Sequence, residues 1–402
     1  MKNIYIVDEY ISSQKNGIGT FLNELLFCLK GNDCNLNLLA FNANVEEFNI
    51  TEKDGIKRYL FPVFKNGHFL QHSKIIEKFL RLYIPDSSEN IFFLNHSPCA
   101  DFIESLKTTH PLSKVIFTIH DFGWTNFLMG DIRRYKKIIK TEESPEAKPI
   151  VESYKNDKRM YDLADGIICL SKDTYRLLQD VYKVNKSKLF HIPNGHRDIH
   201  TDTNQCKDEI KRSLRLNSEG KILLFVGRPT KSKGIYDLIA AMHNVLTHCP
   251  QTKLVIVGDG NEVNVKEIIK ATSSIASSVI FTGQIDKNEL TKWLTIADIG
   301  IISSYYEQCS YTGIEMMMFG LPIVASDGFG VRNMFQDGTN ARIARIGNRK
   351  KSKEFETNLA EAILELLLSE ELCKQLSNGA RQVYEMRYTS SKMEDGYREL
   401  LT

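Results

Sequence analysis

Signature motifs of several common chemistries are absent from this chain. None of its eight cysteines (28, 34, 99, 169, 206, 249, 309 and 373) stands in a C-x2-C pair, so a zinc ribbon is excluded and reduced thiols in a cytoplasmic protein are expected. No G-x-S-x-G and no H-E-x-x-H occurs, which removes the serine-elbow hydrolases and the zincin metalloproteases. His196 and His200 are four apart with Asp198 between them, but Gly195 and polar neighbours place them in a loop, and no metal site is expected there. No uninterrupted apolar run approaches the length of a membrane-spanning helix. The opening Met1-Lys-Asn-Ile-Tyr-Ile-Val7 reaches Asp8 and Glu9 after four apolar residues, the pattern of a first core strand and not of a signal peptide. A net charge of +2 gives no general pull toward nucleic acid, so an electrostatic partner has to be met by a local patch.

What the chain does have is a globular composition, 42% hydrophobic and 25% charged, over 402 residues. That length is too great for one ordinary core and predicts two domains of similar size. In the first half, short apolar runs at 4–7, 36–41, 91–94, 115–119 and 166–169 read as buried strands, and 19–29 and 154–164 as helices between them. The alternation restarts after the turn signal Ile192-Pro-Asn-Gly195 and a polar stretch up to Asn204. Strands are then expected at 221–227, 254–258, 279–283, 297–302 and 321–325, and helices at 234–246, 263–271, 287–296 and 311–319. Three further helices follow at 358–368, 371–386 and 390–401. Strand–helix alternation of this kind predicts α/β architecture with mostly parallel sheets covered on both faces.

Residues with chemical potential gather at the ends of these strands. Glu307-Gln-Cys-Ser-Tyr-Thr-Gly-Ile-Glu315 places two carboxylates eight apart, the first in a loop and the second on a helix that Gly320 and Pro322 stop. Backbone N–H groups around Ser310 and Tyr311, at the start of that helix, favour a phosphate-sized anion. Carboxylates beside a phosphate would repel it, so Glu307 and Glu315 are expected to hold hydroxyl groups attached to it, such as those of a sugar and a ribose. A competing reading makes Thr312 and Glu315 a capping box with no ligand role. Gly227-Arg228-Pro-Thr-Lys231-Ser-Lys233-Gly234 follows a strand with a cationic loop; Arg228 offers a bidentate fork and Lys233 a point charge, a pair suited to a diphosphate, with Lys231 as a competitor for the lysine's role. Val257-Gly258-Asp259-Gly260 turns out of the next strand. In the first half, Asn16-Gly17-Ile-Gly19-Thr20 opens the first helix, and Thr118-Ile119-His120-Asp121 ends a strand, where ligands of doubly wound sheets lie.

The Glu307/Glu315 spacing resembles the E-x7-E block of retaining GT-B glycosyltransferases of family 4, the group 1 glycosyl transferases. Arg228 to Lys233 is similar to the same family's G-R-x4-K-G block, and Gly258 and the segment Phe281-Thr-Gly283-Gln284-Ile285-Asp286 also match. The resemblance covers the whole chain and is most specific in the second half. It implies a GT-B fold of two Rossmann-like, doubly wound domains facing a central cleft: an acceptor-side domain 1–196, a donor domain 197–385, and a terminal helix within 386–402 packing back on the first domain. It further implies a metal-independent, retaining transfer of a hexosyl group from a nucleotide-diphosphate sugar, UDP-linked more than GDP-linked, to a hydroxyl acceptor in polysaccharide or glycoconjugate assembly. No cofactor is expected beyond that co-substrate, and the absence of any D-x-D argues against the metal-dependent GT-A class. By the resemblance Glu307 orients the sugar, Glu315 the ribose, Arg228 and Lys233 the diphosphate, the backbone near Gln284 and Ile285 the base, and His120 the sugar from the other domain. Gly227, Gly258, Ser310, Tyr311 and Thr312 would line the donor, and Gly17 and Gly19 a flexible loop beside the sugar. Rival readings are a GT-B epimerase or phosphorylase, or a non-catalytic nucleotide-binding scaffold.

The match departs from the family at Cys309-Ser310-Tyr311, where a Phe-Gly is common, and at Asp327-Gly-Phe-Gly330-Val-Arg332-Asn333, which lacks a Glu. Acceptors compatible with the class are a glycan, a lipid-linked glycan, a peptide or a small molecule. Two basic amphipathic segments bear on the choice: 65–85, with Lys74, Lys78 and Arg81 among apolar residues, and 131–140, with Arg133, Arg134, Lys136, Lys137 and Lys140. Either they touch an anionic membrane, making the protein peripheral at the inner face, or their apolar residues face the core and the charges are solvated.

Overall fold

The computed structural model describes residues 1–9, 17–30, 33–63, 73–95, 100–141, 147–200, 206–217, 219–349 and 351–402. Asn16, Cys99 and the 65–72 part of the first basic segment lie outside the described residues. Contacts divide the chain into two units, Met1–Trp124 with Ile132–Asn194 and Ser390–Thr402, and Thr125–Asp131 with Gly195–Thr389.

In the first unit β1 (Lys2–Glu9) carries the run Ile4, Tyr5, Ile6, Val7, all buried, as a strand covered on both faces must. It pairs in parallel with β2 (Cys34–Ala43). Then comes a hairpin, β3 (Asn49–Lys53) and β4 (Ile56–Pro62), turned by Asp54 and Gly55 at φ +56° and +74°. Both residues in the left-handed region is the two-residue turn that matches strand twist. β5 (Asn90–Leu94), β6 (Lys114–Ile119), β7 (Gly166–Cys169) and β8 (Leu189–His191) complete a sheet in the order β3-β4-β2-β1-β5-β6-β7-β8, parallel except at the hairpin. The hairpin and β8 were not among the expected strands. The C-terminal helix Ser390–Leu401 lies on the helix Gly17–Lys30: Ser390 Oγ donates to Glu24 Oε2 (2.8 Å), Cys28 Sγ donates to the Ser390 carbonyl (3.3 Å), and Met393 and Tyr397 are buried.

The second unit holds β9 (Ile222–Val226), β10 (Lys253–Val257), β11 (Val279–Gly283), β12 (Ile299–Ile302), β13 (Ile323–Ser326) and β14 (Arg342–Ala344), all parallel in the order β11-β10-β9-β12-β13-β14. The helices Ile235–His248 and Ser352–Leu368 close its core around Leu223, Phe225, Met242, Phe355 and Ile363. Five of these strands stand where the apolar runs predict them; β14 has too short a run to be seen. Each unit is a parallel-sheet Rossmann-like fold, the α/β architecture that the alternation predicts. One difference concerns Thr125–Asp131: a first domain running without break to 196 would include it, whereas its contacts are with the second unit.

Because Tyr397 is fully buried, truncating it removes packing that nothing else can replace. Tyr397→Ala is expected to lower stability by roughly 3–5 kcal/mol, read as an earlier urea transition.

Candidate functional site

The strand order of the second sheet reverses direction between β9 and β12, so the loops leaving these neighbours run to opposite sides and leave a crevice at the carboxyl edge. Both motif loops emerge there. The β9 loop carries Arg228 and Lys233 into the helix Ile235–His248; the β12 loop carries Ser303 to Glu307 into the helix Tyr311–Met318. The loops are meshed backbone to backbone: Tyr305 N–H donates to the Ser232 carbonyl (2.8 Å) and Ser303 Oγ to the Lys233 carbonyl (2.8 Å). Gly234 sits at φ +66° directly on the Ser303 carbonyl, where a Cβ would collide. The result is that Lys233 Nζ donates to Glu307 Oε1 at 2.5 Å, with Ser304 Oγ donating to the same oxygen at 2.8 Å. Glu307 is held from behind by its own N–H donating to the Phe329 carbonyl (2.9 Å). Tyr305 is pinned through its hydroxyl to both oxygens of Asp237 (3.2 Å each), whose burial pushes that carboxyl up to about 6. Ser304, Tyr305 and Asp237 carry no motif spacing, and sequence reasoning missed them.

Three glycines form a bare backbone edge next to this crevice. Gly227 N–H donates to the Val257 carbonyl and Gly258 N–H to the Gly283 carbonyl, both at 2.9 Å, and a Cβ on Gly258 would run into the Gly227 carbonyl. Gly227 and Gly258 adopt φ of +143° and +130°, open to glycine and strained for any other residue. Gln284 is exposed and Ile285 half-buried just beyond β11, ahead of Asp286, which caps the helix Lys287–Ile296.

Glu315 lies one turn along the Tyr311–Met318 helix. The N-cap of that helix is Ser310, whose Oγ accepts from Gly313 N–H at 3.2 Å. Two expectations change. Thr312 is inside the helix and does not pair with Glu315 as a capping box, because the cap belongs to Ser310. The expected anion site loses part of its donor set as well: the Ser310 N–H faces Met334 Sδ at 3.2 Å, and the Gly313 N–H is already used. Glu315 is 14% exposed in its side chain, and its Oε1 lies 3.9 Å from His196 Nε2. Nδ1 of His196 lies 2.7 Å from the Arg197 carbonyl, which only accepts, so Nδ1 carries a proton. Burial pushes the Glu315 carboxyl up to about 7, with Lys287 acting in the opposite direction.

The remaining expected residues separate. Arg228 is exposed, with no ion pair among the described residues, and Lys231 is exposed in the turn Lys231–Lys233, so Lys233 is the lysine that meets Glu307. His120 belongs to the first unit, at the end of β6, with its ring edge-on to Phe21 at 4.6 Å. Gly17 and Gly19 are the first turn of the helix Gly17–Lys30 and not part of a loop, a correction to the expected flexible segment; neither has a positive φ.

A pair of parallel-sheet Rossmann-like units with this switch-point crevice is the GT-B class of fold. The comparisons agree: residues 206–383 match the family model described as glycosyl transferases group 1. That match spans less than half of the chain and lies within its second unit. The alpha-monoglucosyldiacylglycerol synthase of Streptococcus pneumoniae is 32% identical over 177 residues, 43% of this chain and 40% of that protein. The chain spans less than half the length of three such relatives, 45%, 40% and 47%. The sucrose-phosphate synthase of Thermosynechococcus elongatus superposes with a TM-score of 0.78 at 16% identity, over 100% of this chain and 98% of that one. Anabaena HepE, solved in complex with UDP-glucose, gives 0.71 at 15% identity over 100% and 99%. At these identities the two structures speak for the fold.

A carboxyl whose folded value is raised favours the native state when protonated and opposes it when charged. For Glu315 the penalty is absent below its ordinary 4.5 and complete above about 7. Glu315→Gln is therefore expected to stabilise the protein by on the order of 2–3 kcal/mol at pH 8, with the gain vanishing toward pH 4.5 in melting curves.

Proposed function

We propose that the protein is a retaining, metal-independent glycosyltransferase that moves a sugar from a nucleotide-diphosphate sugar to a hydroxyl acceptor. The observation that carries this reading is the three-way contact of Lys233, Glu307 and Ser304 at the switch point of the unit that matches the family. Lys233 is the counter-ion of Glu307 at the crevice. A diphosphate arriving beside them competes for the ammonium, and Arg228, exposed on the same loop, adds a bidentate donor. As Lys233 turns to the phosphate, Glu307 Oε1 is left to accept from a sugar hydroxyl, with Ser304 holding the carboxylate in place. Glu315, deeper on the following helix, accepts from the ribose, and the glycine edge at Gly227, Gly258 and Gly283 lets the nucleotide lie against backbone. Positive charge on the diphosphate stabilises the departing nucleoside diphosphate, whose own phosphate oxygen takes the acceptor's proton as the new bond forms on the same face. UDP is the favoured carrier, supported by the UDP-glucose complex of the structurally similar HepE.

Arg228→Ala and Lys233→Ala are each expected to weaken UDP or GDP binding by ~1.5–3 kcal/mol, measured by calorimetry, with little loss of stability. Glu307→Ala is expected to abolish transfer while sparing free-nucleotide affinity, and Glu315→Ala to reduce both. Unchanged UDP and GDP affinity in both cation variants would sink the diphosphate assignment. Product analysis over a panel of UDP-glucose, UDP-N-acetylglucosamine and GDP-mannose separates this reading from an epimerase, which makes a new nucleotide sugar without acceptor.

A lipid-linked acceptor at an anionic membrane is the favoured acceptor class, supported by the relative that is by its name a synthase of a glucosylated diacylglycerol. No helix among the described residues is long and apolar enough to cross a membrane. In the helix Ile132–Thr141 the apolar Tyr135 and Ile138 are buried, so its contact with lipid would be electrostatic, through exposed Arg133, Lys137 and Lys140. The helix Ser73–Tyr83 adds exposed Leu82 (77%) and Tyr83 (44%). The protein is expected to co-sediment with anionic but not neutral liposomes at low salt, and to lose that preference when Arg133, Arg134, Lys136 and Lys137 become Glu, since each basic residue contributes ~1 kcal/mol near such a surface. Equal sedimentation of parent and variant would leave a soluble acceptor as the better reading.

A further inference from the structure

Seven residues from the middle of the chain's first half, Thr125–Asp131, have their contacts in the second unit, although the residues on either side belong to the first. Among the places where they meet that unit is the loop that ends in Glu307. Tyr306 Oη donates to Asn126 Oδ1 at 2.5 Å. Gly130, at φ +67°, lies so close that a Cβ would stand 2.7 Å from the Tyr305 carbonyl oxygen and 2.9 Å from Tyr306 Cβ. Met129 before it holds φ +49°, a conformation that side-chain-bearing residues avoid, and Arg349 Nε donates to its carbonyl at 2.9 Å. The segment is closed on itself by Gly130 N–H to the Thr125 carbonyl and Asp131 N–H to the Leu128 carbonyl, both 2.9 Å.

The Glu307 loop is fixed on its other sides by identified contacts. The β9 loop holds Ser303 and Tyr305, and the loop after β13 holds Ser304, Tyr305 and Glu307 through Ser326 Oγ, Phe329 N–H and the Phe329 carbonyl. Tyr306 is the residue next to Glu307, and its hydroxyl donates to Asn126. Two strained or side-chain-intolerant positions in succession, Met129 and Gly130, are retained where a surface turn would need neither.

We propose that Thr125–Asp131 is a positioning element for Glu307, acting through Gly130 on the Tyr305–Tyr306 backbone and through Asn126 on the Tyr306 ring. Without it the Tyr305–Tyr306 backbone loses the close approach of Gly130 and the Tyr306 ring its bond to Asn126, and the carboxylate gains a range of orientations beside Lys233. The inference rests on Glu307 as the group that orients the sugar.

The test uses the full chain and the nucleotide sugar of the panel above that the parent turns over fastest, with UDP affinity and melting temperature measured alongside. Tyr306→Phe removes one hydroxyl and threatens no packing; Gly130→Ala presses on the loop itself. Both are expected to lower kcat roughly ten- to a hundredfold, as small misplacements of a reacting group do, with UDP affinity within about twofold of the parent. Asn126→Ala is expected to match Tyr306→Phe, and the double variant to lose no more than either alone. Loss of turnover in Glu307→Gln with normal kcat in Tyr306→Phe overturns the inference and leaves the site reading intact. Normal turnover in Glu307→Gln overturns the site reading and this inference together. A fall in UDP affinity parallel to kcat would also overturn it, since that is what general damage to the unit produces.

Discussion

At residue 234 two loops pass so closely that only a glycine fits between them. Gly234 on the Ser303 carbonyl, with Tyr305 bonded to Ser232 and Ser303 to Lys233, locks the β9 and β12 loops into one body at the switch point of the second sheet. The contact between Lys233 and Glu307 follows from that constraint. A lysine has four rotatable bonds to lose, and an exposed pair of this kind would be worth little. Here both backbones are fixed before the side chains meet, and Ser304 holds the carboxylate from a second direction, so the pair costs less entropy to form.

The two acids of the site sit in different electrostatic settings. Glu307 has a cation and a hydroxyl on one oxygen. Glu315 has been taken into the unit beside a histidine whose ring stands edge-on to Tyr311, and burial has raised it to about 7. A carboxyl raised to about 7 accepts a hydroxyl hydrogen bond at higher pH and donates one at lower pH. His196 contributes through geometry: its backbone is tied to Tyr388 and Tyr384, and its Nδ1 is committed to the Arg197 carbonyl, which leaves Nε2 as the atom toward Glu315.

Much of this was legible in the sequence, for physical reasons. Buried parallel strands must be continuous apolar runs, and the runs near Ile4, Ile91, Leu223, Val255 and Val324 stand out as such. The spacing of Arg228, Lys233, Glu307 and Glu315 was readable because helix and loop lengths between fixed strands tolerate little variation. The β3–β4 hairpin was not seen, although Asp54-Gly55 is a strong turn signal, because β3 is mostly exposed and has no apolar face to mark it. The backbone N–H groups around Ser310 were read as an anion site; the Ser310 hydroxyl caps the helix and takes the Gly313 N–H, a pairing that depends on geometry the sequence does not display. Asp237, Ser304 and the Thr125–Asp131 segment were invisible because their roles come from tertiary approach between residues far apart in the chain, such as the 180 positions between Asn126 and Tyr306.

The choice of cations fits the proposed chemistry. An unpaired carboxylate 4 Å from a phosphate charge would oppose binding by about 4 kcal/mol at an effective dielectric of 20. Lys233 on Glu307 removes that opposition before any ligand arrives. A lysine suits the position because its ammonium is a point charge on a flexible stem and can move between carboxylate and phosphate without losing a fixed geometry. An arginine there would hold Glu307 in a bidentate fork and release it less readily. Arg228 is exposed at the mouth of the same loop, where a planar fork is useful for a diphosphate and no carboxylate has to be released. The loop thus places a releasable charge against the acid and a rigid fork at its exposed end, an order that suits the proposed donor.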